Sequence, residues 1–142
     1  MTATNQEQIH IIIQKWADSL RRKDANGMLS HYAPRLVHFS LAPPLVSTAS
    51  DEKGLTAWFA TWEGAIGYEI HELIVTVAHD VAFSHSLNRM HGTKTNGVKS
   101  DLWFRHTFGF QMIDGAWKIA HEHESVPFYM DGSYKAAIDL KP

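Results

Sequence analysis

The 142-residue chain contains no cysteine. Disulfides and thiol chemistry are therefore excluded, which fits a reducing compartment without requiring one. Long hydrophobic runs are also lacking: stretches such as Ile11 to Ile13 end after a few residues, far short of the roughly 20 apolar residues of a membrane helix. The N-terminal residues show no basic region followed by an apolar stretch, so no signal peptide is expected. Charge of one sign is scarce too. Thirteen Lys and Arg stand against 15 Asp and Glu, a formal net charge of -2. The basic residues are scattered rather than striped, which argues against nucleic-acid binding. These absences predict a cytoplasmic protein with neither a nucleic-acid nor a membrane partner. What the chain has in excess is histidine, ten in all. Protonating even some of them below about pH 6.5 would reverse the sign of the net charge.

No repeat, low-complexity segment or linker divides the sequence, so residues 1–142 are read as a single domain. Thr4 and Glu7 have the spacing of a capping box. After them Ile9, Ile12, Ile13, Trp16 and Leu20 recur at helical spacing, which predicts an amphipathic helix over residues 5–23. Asp24 caps a shorter second helix that Pro34 stops, and a strand follows from Arg35 to Leu41. Ser50 reads as the N-cap of a third helix, whose face is Leu55, Trp58, Phe59 and Trp62. Strand-like runs then cover Tyr68 to Ala78, Val81 to His91, Asp101 to Ile113 and Trp117 to Val126. Helices segregated from an antiparallel sheet mean α+β. The expected architecture is a cone: a curved antiparallel sheet wrapped around the long N-terminal helix, with two further helices, enclosing a pocket.

Asp114-Gly115 is a strong two-residue hairpin signal, and it permits an explicit register. Ile113 pairs with Ala116, Met112 with Trp117 and Phe110 with Ile119. Unbroken alternation then sets Phe108 opposite His121, His106 opposite His123 and Phe104 opposite Ser125, all on the inner face. The outer face would match Arg105 with Glu124 and Thr107 with Glu122. For the preceding hairpin, closure about Asn96 places Ser84, Ser86 and Asn88 inside, beside Phe108, His106 and Phe104. A slip of one residue would replace them with Phe83, His85, Leu87 and Arg89. The interior thus grades from a dry end at Phe110, Met112, Trp117 and Ile119 to a polar end of histidines and serines. Inward polar groups need partners or water, so that end is where a cavity is expected.

Several stretches carry a family resemblance: Trp16 on the first helix, the joint Asp24-Ala25-Asn26-Gly27, Tyr32-Ala33-Pro34, and the run from Asp114 to Ser125. They resemble the SnoaL-like and ketosteroid-isomerase-like branch of the nuclear-transport-factor-2-like superfamily, over nearly the whole chain. Ketosteroid isomerases use a tyrosine, an aspartate base and a protonated aspartate. The matching positions here are Trp16, Ser40 and about Phe108, which cannot supply that chemistry. The ending His-x-His-x-Ser also resembles the association domain of calcium/calmodulin-dependent kinases.

Two functions follow as expectations. The first is a small-molecule-binding protein, a lyase or isomerase acting on a hydrophobic carbonyl compound through a histidine acid or base. His106, His121 and His123 are the candidate catalytic residues. Trp16, Tyr32, His38, Ser84, Ser86, Asn88, Phe104, Phe108 and Ser125 are the candidate substrate-binding residues. The second is a noncatalytic homo-oligomeric association module with a filled cone. Three inward imidazoles could hold zinc, but Glu122 and Glu124 are expected to point outward, so neither a metal nor another cofactor is assigned. The outer face carries Phe83, Leu87 and Trp103, an apolar patch suited to a homodimer. The tail Pro127-Phe128-Tyr129-Met130 is expected over the pocket mouth or on a partner.

Overall fold

The computed structural model describes residues 2–48 and 51–142. Helix α1 (Asn5–Arg21) starts where expected, because Thr4 and Glu7 form a reciprocal capping box. It buries Ile9, Ile13, Trp16 and Leu20. It stops two residues short of the expected end because Lys23 takes a left-handed φ of 59°. Helix α2 (Ala25–Leu29) is capped by the Asp24 side chain, which accepts from the Gly27 N–H. Strand β1 (Tyr32–Phe39) begins before Pro34 rather than after it. Proline is tolerated there because β1 lies at a sheet edge. Helix α3 (Glu52–Phe59) has Asp51 at its N-cap position; Ser50, expected in that role, lies outside the described residues.

Four long strands follow: β2 (Trp62–Ala78), β3 (Val81–Lys94), β4 (Lys99–Ile113) and β5 (Ala116–Ser125). Trp62, expected on the third helix, opens β2 instead, with its ring centroid 5.9 Å from that of Trp58. The sheet order is β1-β5-β4-β3-β2. All neighbours are antiparallel except β1 and β5, which run parallel. The expected all-antiparallel sheet is corrected at that one edge. The sheet is open, yet it wraps α1. Trp16 donates to Tyr32 on one edge strand and packs edge-on against Tyr68 on the other, with centroids 5.5 Å apart. A single side chain reaches both edges only if the sheet curls around its helix.

The β3–β4 register is the expected one: Ser84 pairs with Phe108, Ser86 with His106 and Asn88 with Phe104. Ser84, Ser86, Asn88, Phe104, His106 and Phe108 are all buried. The β4–β5 hairpin also closes as expected, with positive φ at both Asp114 and Gly115. Its pairing holds as far as Phe110 with Ile119. There it departs from expectation. Gly109 pairs with His121, Phe108 with Glu122, Thr107 with His123, His106 with Glu124 and Arg105 with Ser125. One extra residue, Ala120, is inserted into β5 as a β-bulge. Because side chains alternate, the insertion reverses every side chain beyond it. Glu122 and Glu124 turn inward; His121, His123 and Ser125 turn outward. Gly109 sits at a close approach in the bulge: a Cβ there would lie 3.2 Å from the Cβ of His121.

The C-terminal tail folds back on itself through a Phe128–Ala136 bridge. Ala137 is buried, while Phe128 and Met130 remain exposed. Residues Ala137, Leu140 and Pro142 border the same hollow as Leu87 and Trp103, so the chain's own tail adjoins part of the outer apolar patch. Among the described residues no helix is long and apolar enough to cross a membrane.

Candidate functional site

The inner end of the cone holds a cavity of about 310 Å3. Helix α1 contributes Trp16 and Leu20, α2 Met28, α3 Leu55 and Trp58, β2 Tyr68 and β3 Met90. Its polar groups come from the opposite edge: His38 on β1, Ser40 just after it, and Glu122 and Glu124 on β5. Among the described residues lining it there is no lysine or arginine. The cavity is thus apolar on most sides and acidic on one.

The two carboxylates differ in their surroundings. Glu122 is only 2% exposed. One of its oxygens accepts from the Tyr32 hydroxyl at 2.7 Å, and the other meets Nε2 of His106 at 2.8 Å. Tyr32 in turn accepts from the Trp16 indole N–H at 3.0 Å. The His106 ring stands edge-on to Phe108, centroids 4.3 Å apart. Both oxygens of Glu122 are therefore engaged by groups that are themselves packed in place. Glu124 is less confined: one of its oxygens lies 2.7 Å from His38 Nε2. The same nitrogen is 3.8 Å from Glu122 Oε1. His38 is an imidazole bracketed by two carboxylates at the wall of a cavity.

Charge balance decides the protonation of this cluster. Burial by itself would raise the Glu122 pKa. The hydrogen bond and charge of His106, the charge of His38 and the Tyr32 hydroxyl outweigh it and hold the carboxyl below its ordinary 4.5. Burial would lower the His38 pKa, but the hydrogen bond to Glu124 and the charges of Glu122 and Glu124 carry it above the ordinary 6.5. Burial pushes the Tyr32 and Tyr68 phenols well up, and the nearby carboxylates add to it, so both stay protonated.

Of the expected site residues, Trp16 and His38 line the cavity, and three lie on the opposite face of the sheet. Trp16, Tyr32, His38 and His106 meet around Glu122. Ser86 and Asn88 form a buried chain behind Tyr68: Ser86 Oγ donates to Asn88 Oδ1 and Asn88 Nδ2 to the Tyr68 hydroxyl, each at 2.7 Å. Ser84, Phe104 and Phe108 are packed core. His121, His123 and Ser125 are not on the inner face, because the bulge turned them away. His121 donates from Nδ1 to the Val37 carbonyl at 2.7 Å and packs edge-on against Phe39. His123 and Ser125 border an outer hollow with Phe39, Leu45 and Phe128. Ser125 accepts from Arg105 at 3.0 Å, so the expected Arg105–Glu124 pair does not form. An inward trio of His106, His121 and His123 is likewise corrected. The metal-type donors that do converge are His38, Glu122 and Glu124, with ligand atoms within 4.8 Å of one another; hydrogen bonds within the protein already engage all three.

Glu122, Glu124 and Tyr68 are the site residues that alternation missed. Gly109 was the available signal for the first two, since an isolated glycine inside a strand marks a bulge or a close backbone approach.

Residues 9–129 match the SnoaL-like domain family. A nuclear-transport-factor-2-like protein of unknown function from Pseudomonas putida KT2440 is 28% identical, with a TM-score of 0.87 over 100% of this chain and 99% of that one. A ketosteroid isomerase-like protein from Erwinia carotovora atroseptica is 20% identical, with a TM-score of 0.72 over 87% of this chain and 97% of that one. A candidate scytalone dehydratase from Novosphingobium aromaticivorans is 13% identical, with a TM-score of 0.75 over 94% and 93% of the two chains. The last two likenesses are of fold. No curated protein matches the chain.

Proposed function

The chain belongs to the SnoaL-like family, and from that premise we propose that its cavity binds a small, neutral, apolar carbonyl compound and moves a proton on it, as a lyase or isomerase. The observation that carries this reading is the His38–Glu124 contact of 2.7 Å in the wall of an otherwise apolar cavity of about 310 Å3. An imidazole backed by a carboxylate is suited to general base catalysis, because the carboxylate stabilises the imidazolium that forms. Glu122 adds a fixed negative charge 3.8 Å from the same nitrogen. The role expected of His121 and His123 passes to His38. His106 becomes a positioning residue that holds Glu122.

The names of proteins similar in fold, an isomerase-like protein and a dehydratase candidate, fit proton transfer. The association-module alternative expects a filled cone, and an open cavity with two carboxylates and an imidazole does not support it. Lining by three aromatic rings and several aliphatic side chains favours an uncharged ligand.

The test begins with a thermal-shift screen of neutral apolar ketones and β-hydroxyketones, because a compound that binds only the folded state raises its stability. With the compound that binds, His38→Gln is expected to lower turnover by about 10²- to 10⁴-fold, while His121→Ala and His123→Ala leave it near wild type. Activity should rise with pH through a value above 6.5, since the base form of His38 is the neutral one and its pKa is raised. Full turnover and affinity in His38→Gln would sink the proposal.

A further inference from the structure

Ser40, Leu41 and Ala42 form part of the cavity wall, and the same three residues border the outer hollow that His123 faces. The two spaces therefore meet along one rim, just past the end of β1. Among the described residues no Asp, Glu, Lys or Arg lines the hollow. Its apolar side chains are open to water: Leu45 is 95% exposed, Phe128 62% and Val46 46%. Single exposed apolar residues are ordinary, but several around one hollow mark a binding surface. Each side of the hollow is held in place. Phe39 stands edge-on to the rings of both His121 and His123, with centroids 4.9 and 5.2 Å away. The strap over residues 39–46 is pinned at its root. There the His38 N–H donates to the Ser47 carbonyl at 2.8 Å, and the Ser47 N–H donates to the His38 carbonyl at 3.0 Å. Phe128 is held by its backbone bridge to Ala136. His38 thus serves both spaces, its ring lining the cavity and its backbone anchoring the strap.

We propose that the outer hollow is a subsite for an alkyl chain, so that the ligand of the cavity is a long-chain ketone. Its carbonyl end lies inside, beside His38. Its chain crosses the Ser40–Ala42 rim and lies on Leu41, Leu45, Val46 and Phe128. This rests on the reading of the cavity as a site for neutral carbonyl compounds, and it adds the class of molecule. An alkyl chain suits the hollow because it brings no charge and no polar group that needs a partner there. Continuity with the cavity is what selects it. A second protein molecule would cover the hollow and leave the cavity empty, whereas a ligand that spans the rim uses both. The gain comes from apolar surface taken out of water. A methylene fully buried tightens binding about fourfold, and one lying on an open groove about twofold.

The experiment titrates the protein with 2-hexanone, 2-octanone, 2-decanone and 2-dodecanone. Binding is followed by tryptophan fluorescence, since Trp16 and Trp58 line the cavity. Wild-type affinity should rise about twofold per methylene through the longest ketone. Leu45→Asp and Phe128→Asp each place a carboxylate in the path of the chain, so the rise should stop at the shorter ketones. Leu45→Ser gives a milder form of the same loss if an aspartate prevents folding. Val98→Asp changes another exposed apolar residue that lies outside the hollow, and it should leave the whole series as in the wild type. A wild-type series that levels off by 2-octanone, or a rise that persists unchanged in the Leu45 and Phe128 variants, overturns the chain subsite and leaves the reading of the cavity standing. A dimer found by sedimentation that Leu45→Asp breaks without altering the series makes the hollow an interface between copies, and overturns the subsite as well. Failure of every ketone to bind overturns both.

Discussion

Glu122→Ala is the substitution that weighs most on the structure of the site. It removes the acceptor of the Tyr32 hydroxyl and the partner of His106, both on the inner face of the sheet. A hydrogen bond to a charged group is worth about 1.5–3 kcal/mol, and two are lost. Removing one partner of a buried charged pair costs about 3–5 kcal/mol, and the two estimates agree. For a domain of this size, that is a fall in Tm of roughly 10 °C or more. His123→Ala, at an exposed position on the other face, should cost less than about 0.5 kcal/mol. Urea unfolding at pH 7, followed by tryptophan fluorescence, measures both. The difference should depend on pH with a defined sign. The folded Glu122 pKa lies below 4.5, so its stabilisation is present above 4.5 and is lost as pH falls through the folded value. The gap between wild type and Glu122→Ala should therefore narrow in acid. If Glu122→Ala costs under about 1 kcal/mol at pH 7, or if His123→Ala costs more than Glu122→Ala, the bulged register is wrong and alternation runs unbroken.

Two other positions test the same architecture from outside the cavity. Gly109→Val places side-chain atoms where even a Cβ would lie 3.2 Å from His121; strain of about 1–3 kcal/mol is expected, and calorimetric unfolding checks it, with a neutral result arguing against the close approach. Phe83, Val81 and Ile74 are each about half exposed on the outer side of the sheet, a patch suited to a second copy of the chain. Sedimentation should find dimers in the wild type and monomers in Phe83→Asp; monomers in both would end the homodimer proposal.

Much of the scaffold was legible in the residues themselves. The 3.6-residue stripe from Ile9 to Leu20 and the Thr4–Glu7 box define α1, because helix faces and caps are local properties. The Asp114-Gly115 turn sets its own hairpin closure, because few dipeptides accept two positive φ angles in succession. Counting from that turn placed Phe104, His106 and Phe108 on the inner face, and symmetric closure about Asn96 added Ser84, Ser86 and Asn88, the register found. The extra length of β2, from Trp62 rather than Tyr68, was less visible. Three exposed residues, Glu63 to Ala65, separate the buried Trp62 and Ile66, and the pairing with β3 is irregular between Glu63 and Gly67, so no clean alternation marks them.

The chemistry of the site depended on one inserted residue. Alternation counts positions from the turn, and it has no term for Ala120 entering β5 without a partner. Gly109 leaves room for the close approach to His121, but tertiary contacts select the insertion. With the bulge, Glu122 finds Tyr32 from β1 and His106 from β4, and Glu124 finds His38. Without it, His121 and His123 would occupy those inner positions, and the acidic side chains would sit outside. The residues alone therefore determined an apolar cone with a polar end. The packing of β5 between two strands decided that this end carries a pair of carboxylates around one imidazole, because a buried acid is stable only where donors from neighbouring strands already wait for it.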